Sequence, residues 1–217
     1  MFVRHWMTER PVTADEKMDL GQAFERMHQH RIRRLPVVRE GNKLCGIIAL
    51  SDLYPYIGPQ GLNRAIMSTE FAAKLRCVRV SEIMVQNPVT CDRNTPLEEA
   101  GALMRNRKIG AIPVVHGDEI VGIITESDVL EALTKIAQMG EDGKRVCFRI
   151  PVDEKMKIFY RIVSLCEQNR LEILTLLTHP LADGSHLVMI RIRGEKISAF
   201  IDALWDFNYK VLTAMPD

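Results

Sequence analysis

Long apolar runs are missing from this 217-residue chain, and with them the stretch of roughly 18 residues that a membrane-spanning helix needs. Its opening, MFVRHWMTER, also lacks the apolar core of a signal peptide, so the expected location is the cytoplasm. An excess of one charge is missing as well: 29 Lys and Arg face 28 Asp and Glu, for a net charge of +1. No overall field recruits nucleic acid or a membrane, and any basic site must be local. Paired cysteines are absent, because Cys45, Cys77, Cys91, Cys147 and Cys166 are odd in number, scattered and never spaced as C-x-x-C. That argues against a disulfide framework or zinc site and for reduced, buried thiols. The six histidines, His5, His28, His30, His116, His179 and His186, form no H-E-x-x-H pattern, and no Walker loop, G-x-S-x-G or G-x-G-x-x-G occurs. The expectation is therefore a protein without metal or catalytic cofactor, and not an enzyme. Aromatics make up only 6%, with Trp6 and Trp205 assigned to core or interface.

What is present is an ordinary globular composition, 47% apolar and 26% charged, with room for one large or two to three small domains at roughly 150 residues each. Sliding the sequence by 77 places Val3–Val38 over Val80–Val115 with 13 identities in 36 positions. After the loss of one residue, an offset of 76 lays Leu44–Leu53 over Ile120–Val129 with 5 identities in 10. The first 135 residues are thus an internal duplication, and two like units sharing a pseudo-twofold interface leave a cleft between them.

Each copy reads as an extended Pro-Val-Thr segment, a helix, a strand (Pro36-Val37-Val38 or Pro113-Val114-Val115), a charged turn, a strand around Gly-Ile-Ile, and a second helix. The first helix carries Leu20, Ala23, Phe24 and Met27 at i, i+3, i+4 and i+7, and in the second copy Thr95-Pro96-Leu97-Glu98 reads as an N-cap, N1 and N3 signal. One or two connecting helices are expected between the copies. Gly140-Glu141-Asp142-Gly143-Lys144 is the best boundary, and beyond it the pattern reads strand, helix, strand, strand, helix, strand, the ferredoxin-like order. The expected domains are 1–60 and 80–138 for the copies, 61–79 for the connector and 145–217 for the tail.

Paired PVT…(L/I)PVV…GII(A/T)xSD units resemble a tandem pair of CBS domains, the Bateman module, over residues 1 to about 135. The tail resembles an ACT domain, and the whole arrangement is similar to the acetoin-utilisation AcuB family. The implied fold is α+β: a CBS pair of pseudo-twofold β-α-β-β-α repeats followed by a ferredoxin-like βαββαβ ACT-type domain. The implied activity is regulatory sensing of an adenosine-containing ligand (AMP, ADP, ATP or S-adenosylmethionine) by a homodimer, with an unidentified protein partner. The tail lacks the glycine-bearing loop of amino-acid-binding ACT domains, since Pro151-Val152-Asp153-Glu154-Lys155-Met156-Lys157 stands there, so dimerisation is its expected role.

The residues suit that chemistry. An adenine nucleotide requires an apolar slot, an acceptor for ribose hydroxyls and cations or donors for phosphate. Gly122-Ile123-Ile124-Thr125-Glu126-Ser127-Asp128 runs from a strand end into a helix N-terminus, where Asp128 is the candidate ribose acceptor, the Thr125 hydroxyl and the first-turn amides face an anion, and Ser127 is a further candidate ligand-binding residue. Pro113 and Ile124 are candidates for the base slot, and Thr90 resembles the family position beside the adenine. The first copy offers Thr13, Pro36, Ile48 and Asp52, but Ala49 replaces the hydroxyl of Thr125, and Arg33 and Arg34 are the candidate phosphate cations. The competing reading is an interaction adaptor with vestigial clefts.

Overall fold

The computed structural model describes residues 1–57, 75–137, 142–152 and 158–216. Most of the expected connector, the break at Gly140-Glu141 and residues 153–157 lie outside them. The chain divides into two compact units, Met1–Leu130 and Glu131–Asp217.

In the first unit, the short strands β1 (Thr8–Glu9) and β2 (Ala14–Asp15) precede helix α1 (Leu20–Gln29) and the hairpin β3 (Arg34–Arg39) and β4 (Lys43–Ala49). The second copy repeats the plan with β5 (Val85–Gln86), α2 (Leu97–Arg107), β6 (Ala111–His116) and β7 (Glu119–Thr125), which runs into α3 (Glu126–Ile136). Both hairpins are antiparallel and carry a bulge at the same place, Val37/Val38 and Val114/Val115. The one-residue difference between the copies falls in the hairpin turn. There the first copy uses Gly41 at φ 75° and Asn42 at φ 58°, and the second a single left-handed residue, Gly117 at φ 60°.

Helix α1 starts where Asp19 Oδ1 accepts from Gln22 N at 2.9 Å and the Gln22 side chain accepts from Asp19 N at 3.3 Å, a closed capping box. Leu20, Ala23, Phe24 and Met27 then bury against Leu35, Val37 and Ile48. The start of α2 differs from the sequence expectation: Thr95 Oγ1 accepts from Asp92 N at 3.1 Å, inside the preceding turn, and does not cap the helix. Pro96 holds the cap position with ψ at 136°, outside the helix.

The leading segment of each copy packs on the other copy. Val3 N donates to Thr95 O at 2.9 Å and Leu97 N to Met1 O at 3.0 Å, so residues 1–3 pin the entry to α2. In the mirror contact Leu20 N donates to Val78 O at 3.0 Å and Val80 N to Met18 O at 2.8 Å. The same exchange continues in the sheet, where β1 pairs with β7 and β5 with β4. Val3 and Val80 are both fully buried by it.

The second unit is a four-stranded antiparallel sheet in the order β11-β8-β10-β9, formed by β8 (Lys144–Ile150), β9 (Glu172–Pro180), β10 (His186–Arg193) and β11 (Lys210–Pro216). Helices α4 (Ile158–Gln168) and α5 (Ile197–Asp206) cross over between strands. Its core joins Val146, Phe148 and Ile150 of β8 to Val188 and Ile190 of β10 and to Ile162, Phe200 and Leu204 of the helices. Trp205, expected in core or interface, is 54% exposed, because the apolar stripe of α5 is centred on Phe200 and Leu204.

Candidate functional site

The strand end of each copy turns into its following helix around an aspartate. Asp128 Oδ2 accepts from Thr125 N at 2.8 Å and from Thr125 Oγ1 at 2.7 Å, and Thr125 Oγ1 accepts from Asp128 N at 3.4 Å, a capping box at the start of α3. In the first copy Asp52 Oδ2 accepts from Ala49 N at 2.8 Å, while Oδ1 receives only a 3.5 Å contact from Ser51 Oγ. Asp128 Oδ1 has no hydrogen-bond partner among the described residues, which leaves an acceptor oxygen beside the helix N-terminus.

Two clefts flank these turns, and the crossing of segments builds each from both copies. The larger, about 510 Å³, joins Thr125, Ser127 and Asp128 to Arg33, Arg34 and Pro36 of the first copy, with Pro11 and Val12 at its side. The smaller, about 390 Å³, joins Ala49, Ser51 and Asp52 to Lys108, Ile109 and Gly110 of the second copy, with Pro88 and Val89 at its side. Thr90 therefore does not belong with Asp128. The Pro-Val-Thr segment that reaches the Asp128 cleft is that of the first copy, because β1 lies on β7. Thr13 and Thr90 themselves are outside both linings, one residue past the valines that enter.

Other candidates move by one step of the pleat. Ile48 and Ile124 are fully buried in the core, and Ile47 and Ile123 line the clefts in their place. Successive strand residues face opposite sides, so alternation from the buried Ile48 and Ile124 was the signal that could have found them. Pro36 lines the Asp128 cleft, whereas its counterpart Pro113 is buried outside the smaller lining. Arg33 and Arg34, expected beside the first copy's own aspartate, line the Asp128 cleft together with Arg31.

Arg34 lines the smaller cleft as well. Its guanidinium lies against Gly110, where an added Cβ would overlap Nη2 and stand 3.0 Å from Glu126 Oε2. A residue with a side chain at position 110 would have to displace the arginine.

The thiols stay out of this chemistry. Burial, followed by the charges of Asp92 and Glu99, pushes Cys91 up to about 11, so it is a protonated, half-buried thiol and a poor nucleophile at neutral pH. Its place in the repeat is that of the buried Ala14, and it bridges Val114 as Ala14 pairs with Val37. Among the described residues no three His, Cys, Asp or Glu side chains gather as a metal site, and no helix is long and apolar enough to cross a membrane.

The duplicated strand-turn-helix plan has a counterpart in known proteins, since the family model of the CBS domain matches residues 3–58 and 80–135. The chain belongs to the CBS-domain family. A CBS domain-containing protein of Dictyostelium discoideum is 33% identical over 144 residues, covering 64% of this chain and 94% of its own. The crystal structure described as an acetoin utilization protein (AcuB) from Vibrio cholerae aligns with a TM-score of 0.53 at 27% identity, over 64% of this chain and 96% of that one. The CBS domain pair of protein MJ0100, solved with 5′-methylthioadenosine and S-adenosyl-L-methionine, aligns with a TM-score of 0.50 at 25% identity, over 61% and 99%. In this CBS pair the two composite clefts are the counterparts of each other under the internal repeat.

Proposed function

We propose that this CBS-domain protein is a cytoplasmic, non-catalytic regulatory sensor that binds an adenosine-containing ligand (AMP, ADP, ATP or S-adenosylmethionine) in the cleft that holds Asp128. The observation that carries the reading is the convergence in one cleft of Asp128, at the N-terminus of α3, with Arg33 and Arg34 from the other copy. The free Oδ1 of Asp128 accepts the ribose hydroxyls, Pro11, Val12 and Ile123 flank the base, and the arginines with Ser127 and the helix N-terminus meet phosphate. The complex of the MJ0100 pair with two adenosine compounds supports the ligand class. A ligand that binds one packing of the copies better than another shifts the surface shown to a protein partner by that difference in affinity.

The repeats act as domains 1–60 and 80–138 and the tail, 145–217, as an ACT-type module that makes the protein a homodimer. The sheet order β11-β8-β10-β9 with two crossover helices supports that assignment. Nucleotide-stripped protein heated with a panel of adenosine compounds tests the reading: one or more raises Tm in the wild type and not in Asp128→Ala. No shift with any of them overturns it.

A further inference from the structure

The two clefts are not equally cationic. Arg31, Arg33 and Arg34 line the Asp128 cleft, whereas the Asp52 cleft has Lys108 and, again, Arg34. Under the repeat the counterparts of Arg33 and Arg34 are Gly110 and Ala111, so the second copy returns no arginine of its own to the first. The guanidinium of Arg34 occupies the space that the missing Cβ of Gly110 leaves, next to the Glu126 carboxylate. Arg34 thus lines both clefts, with its guanidinium against Gly110 on the Asp52 side.

Resting on the sensor reading, we propose that Arg34 makes the two clefts antagonistic toward phosphorylated ligands: the anionic end of a ligand in either cleft draws on the same guanidinium. In this arrangement Arg34 turns a bidentate face toward one cleft at a time, and its single positive charge is divided when both clefts hold a phosphate. The Asp128 cleft retains Arg31 and Arg33, so it wins the shared residue. A second phosphorylated ligand then enters the Asp52 cleft with Lys108 alone. An adenosine ligand without a phosphate makes no claim on Arg34 and fills the two clefts independently. Coupling between two binding equilibria is reciprocal, so emptying either cleft strengthens the other by the same factor.

Calorimetric titrations of the full chain with AMP and with 5′-methylthioadenosine test this. In Asp128→Ala the remaining cleft should bind AMP about 10-fold more tightly than the wild type binds its second AMP, a typical size for coupling between sites. Affinity for 5′-methylthioadenosine at that cleft should agree within about twofold between the two proteins. Adding Arg34→Gln should erase the gain for AMP. Where Arg34→Gln lowers Tm without ligand, Gly110→Ala serves instead, because it keeps the arginine in the chain but takes its space. An unchanged AMP affinity in Asp128→Ala, or an equal gain for both ligands, overturns the antagonism while leaving the sensor reading intact. Absence of AMP binding to the wild type overturns the antagonism as well, and only when no compound of the adenosine panel shifts Tm does the sensor reading itself fall.

Discussion

Thr125 gives Asp128 Oδ2 both its backbone N–H, at 2.8 Å, and its hydroxyl, at 2.7 Å, whereas Ala49 gives Asp52 Oδ2 the backbone N–H alone. The hydroxyl fixes the carboxylate of the second copy at the mouth of its cleft. Thr125→Ala should cost about 1 kcal/mol, the usual net contribution of one such bond, and weaken ligand binding at Asp128. The reverse change, Ala49→Thr, should strengthen the first copy. Urea unfolding with and without AMP measures both effects, and a Thr125→Ala variant with unchanged midpoint and affinity would show the hydroxyl to be idle.

A second paired feature sits where the exchanged strands cross. A Cβ at Gly122 would lie 2.6 Å from Met7 Sδ and 3.2 Å from Thr8 O, and a Cβ at Gly46 would lie 3.1 Å from Val85 O and overlap Met84 Sδ. The methionine can move, but the strand backbone pressed against the glycine has less room. Gly46→Ala and Gly122→Ala should each destabilise by about 1–3 kcal/mol through overpacking. Trimming Met84 or Met7 to Ala in the same chain should recover part of that loss. Full stability of the glycine variants by urea titration would mean that β1 and β5 do not lie on these strands.

The repeat, the hairpins, the buried face of α1 and the strand-helix order of the tail were all legible in the sequence, because each is written in local periodicity. The exchange of leading segments was not. Nothing in Val3 or Val80 tells which copy it packs on, since that choice depends on which sheet edge the connection can reach. Local pattern therefore did not show that the segment before Thr90 runs beside the Asp52 cleft, or that Arg33 and Arg34 reach the Asp128 cleft, Arg34 while also lining the first copy's own. Ile124 and Ile48 were misjudged for a smaller reason. Two adjacent isoleucines in a strand look alike in composition, and only the pleat sends one to the core and its neighbour to the cleft. Thr95 misled because Ser, Thr and Asp close turns as readily as they cap helices.

Cys91 and Cys166 make the protein's stability sensitive to alkali. Burial raises both thiols to about 11 from an ordinary 9.0, so the folded chain holds these protons more tightly than the unfolded chain. Their contribution is complete below pH 9 and is lost as the pH climbs through about 11. Urea midpoints taken between pH 8 and pH 11 should fall, and the fall should be shallower in Cys91→Ala. Iodoacetamide at pH 8 should label the exposed Cys77 well before Cys91 or Cys166. Equal labelling of Cys77 and Cys91 would contradict the burial assigned to the latter.

The second unit has its own core, centred on Phe148, Phe200 and Tyr209, all fully buried. Phe200→Ala should remove about 3–5 kcal/mol from that core, enough to lower its melting transition by many degrees. Affinity for AMP should change less than about twofold, because no cleft-lining residue belongs to this core. Calorimetric melting followed by an AMP titration checks both. A variant with an unchanged melt would contradict the core assignment, and loss of AMP binding would mean that the clefts depend on the tail.

On the sensor reading a ligand of adenosine type is held by residues of both copies at once, Arg31–Pro36 from one and Ile123–Asp128 from the other. Hydrogen exchange with mass-spectrometric readout, on stripped protein with and without saturating AMP, tests it most directly. Slowed exchange is expected in the peptides covering 8–12, 31–36 and 123–128 together, with loss of all three effects in Asp128→Ala. Protection confined to one copy, or protection that survives in Asp128→Ala, would contradict it.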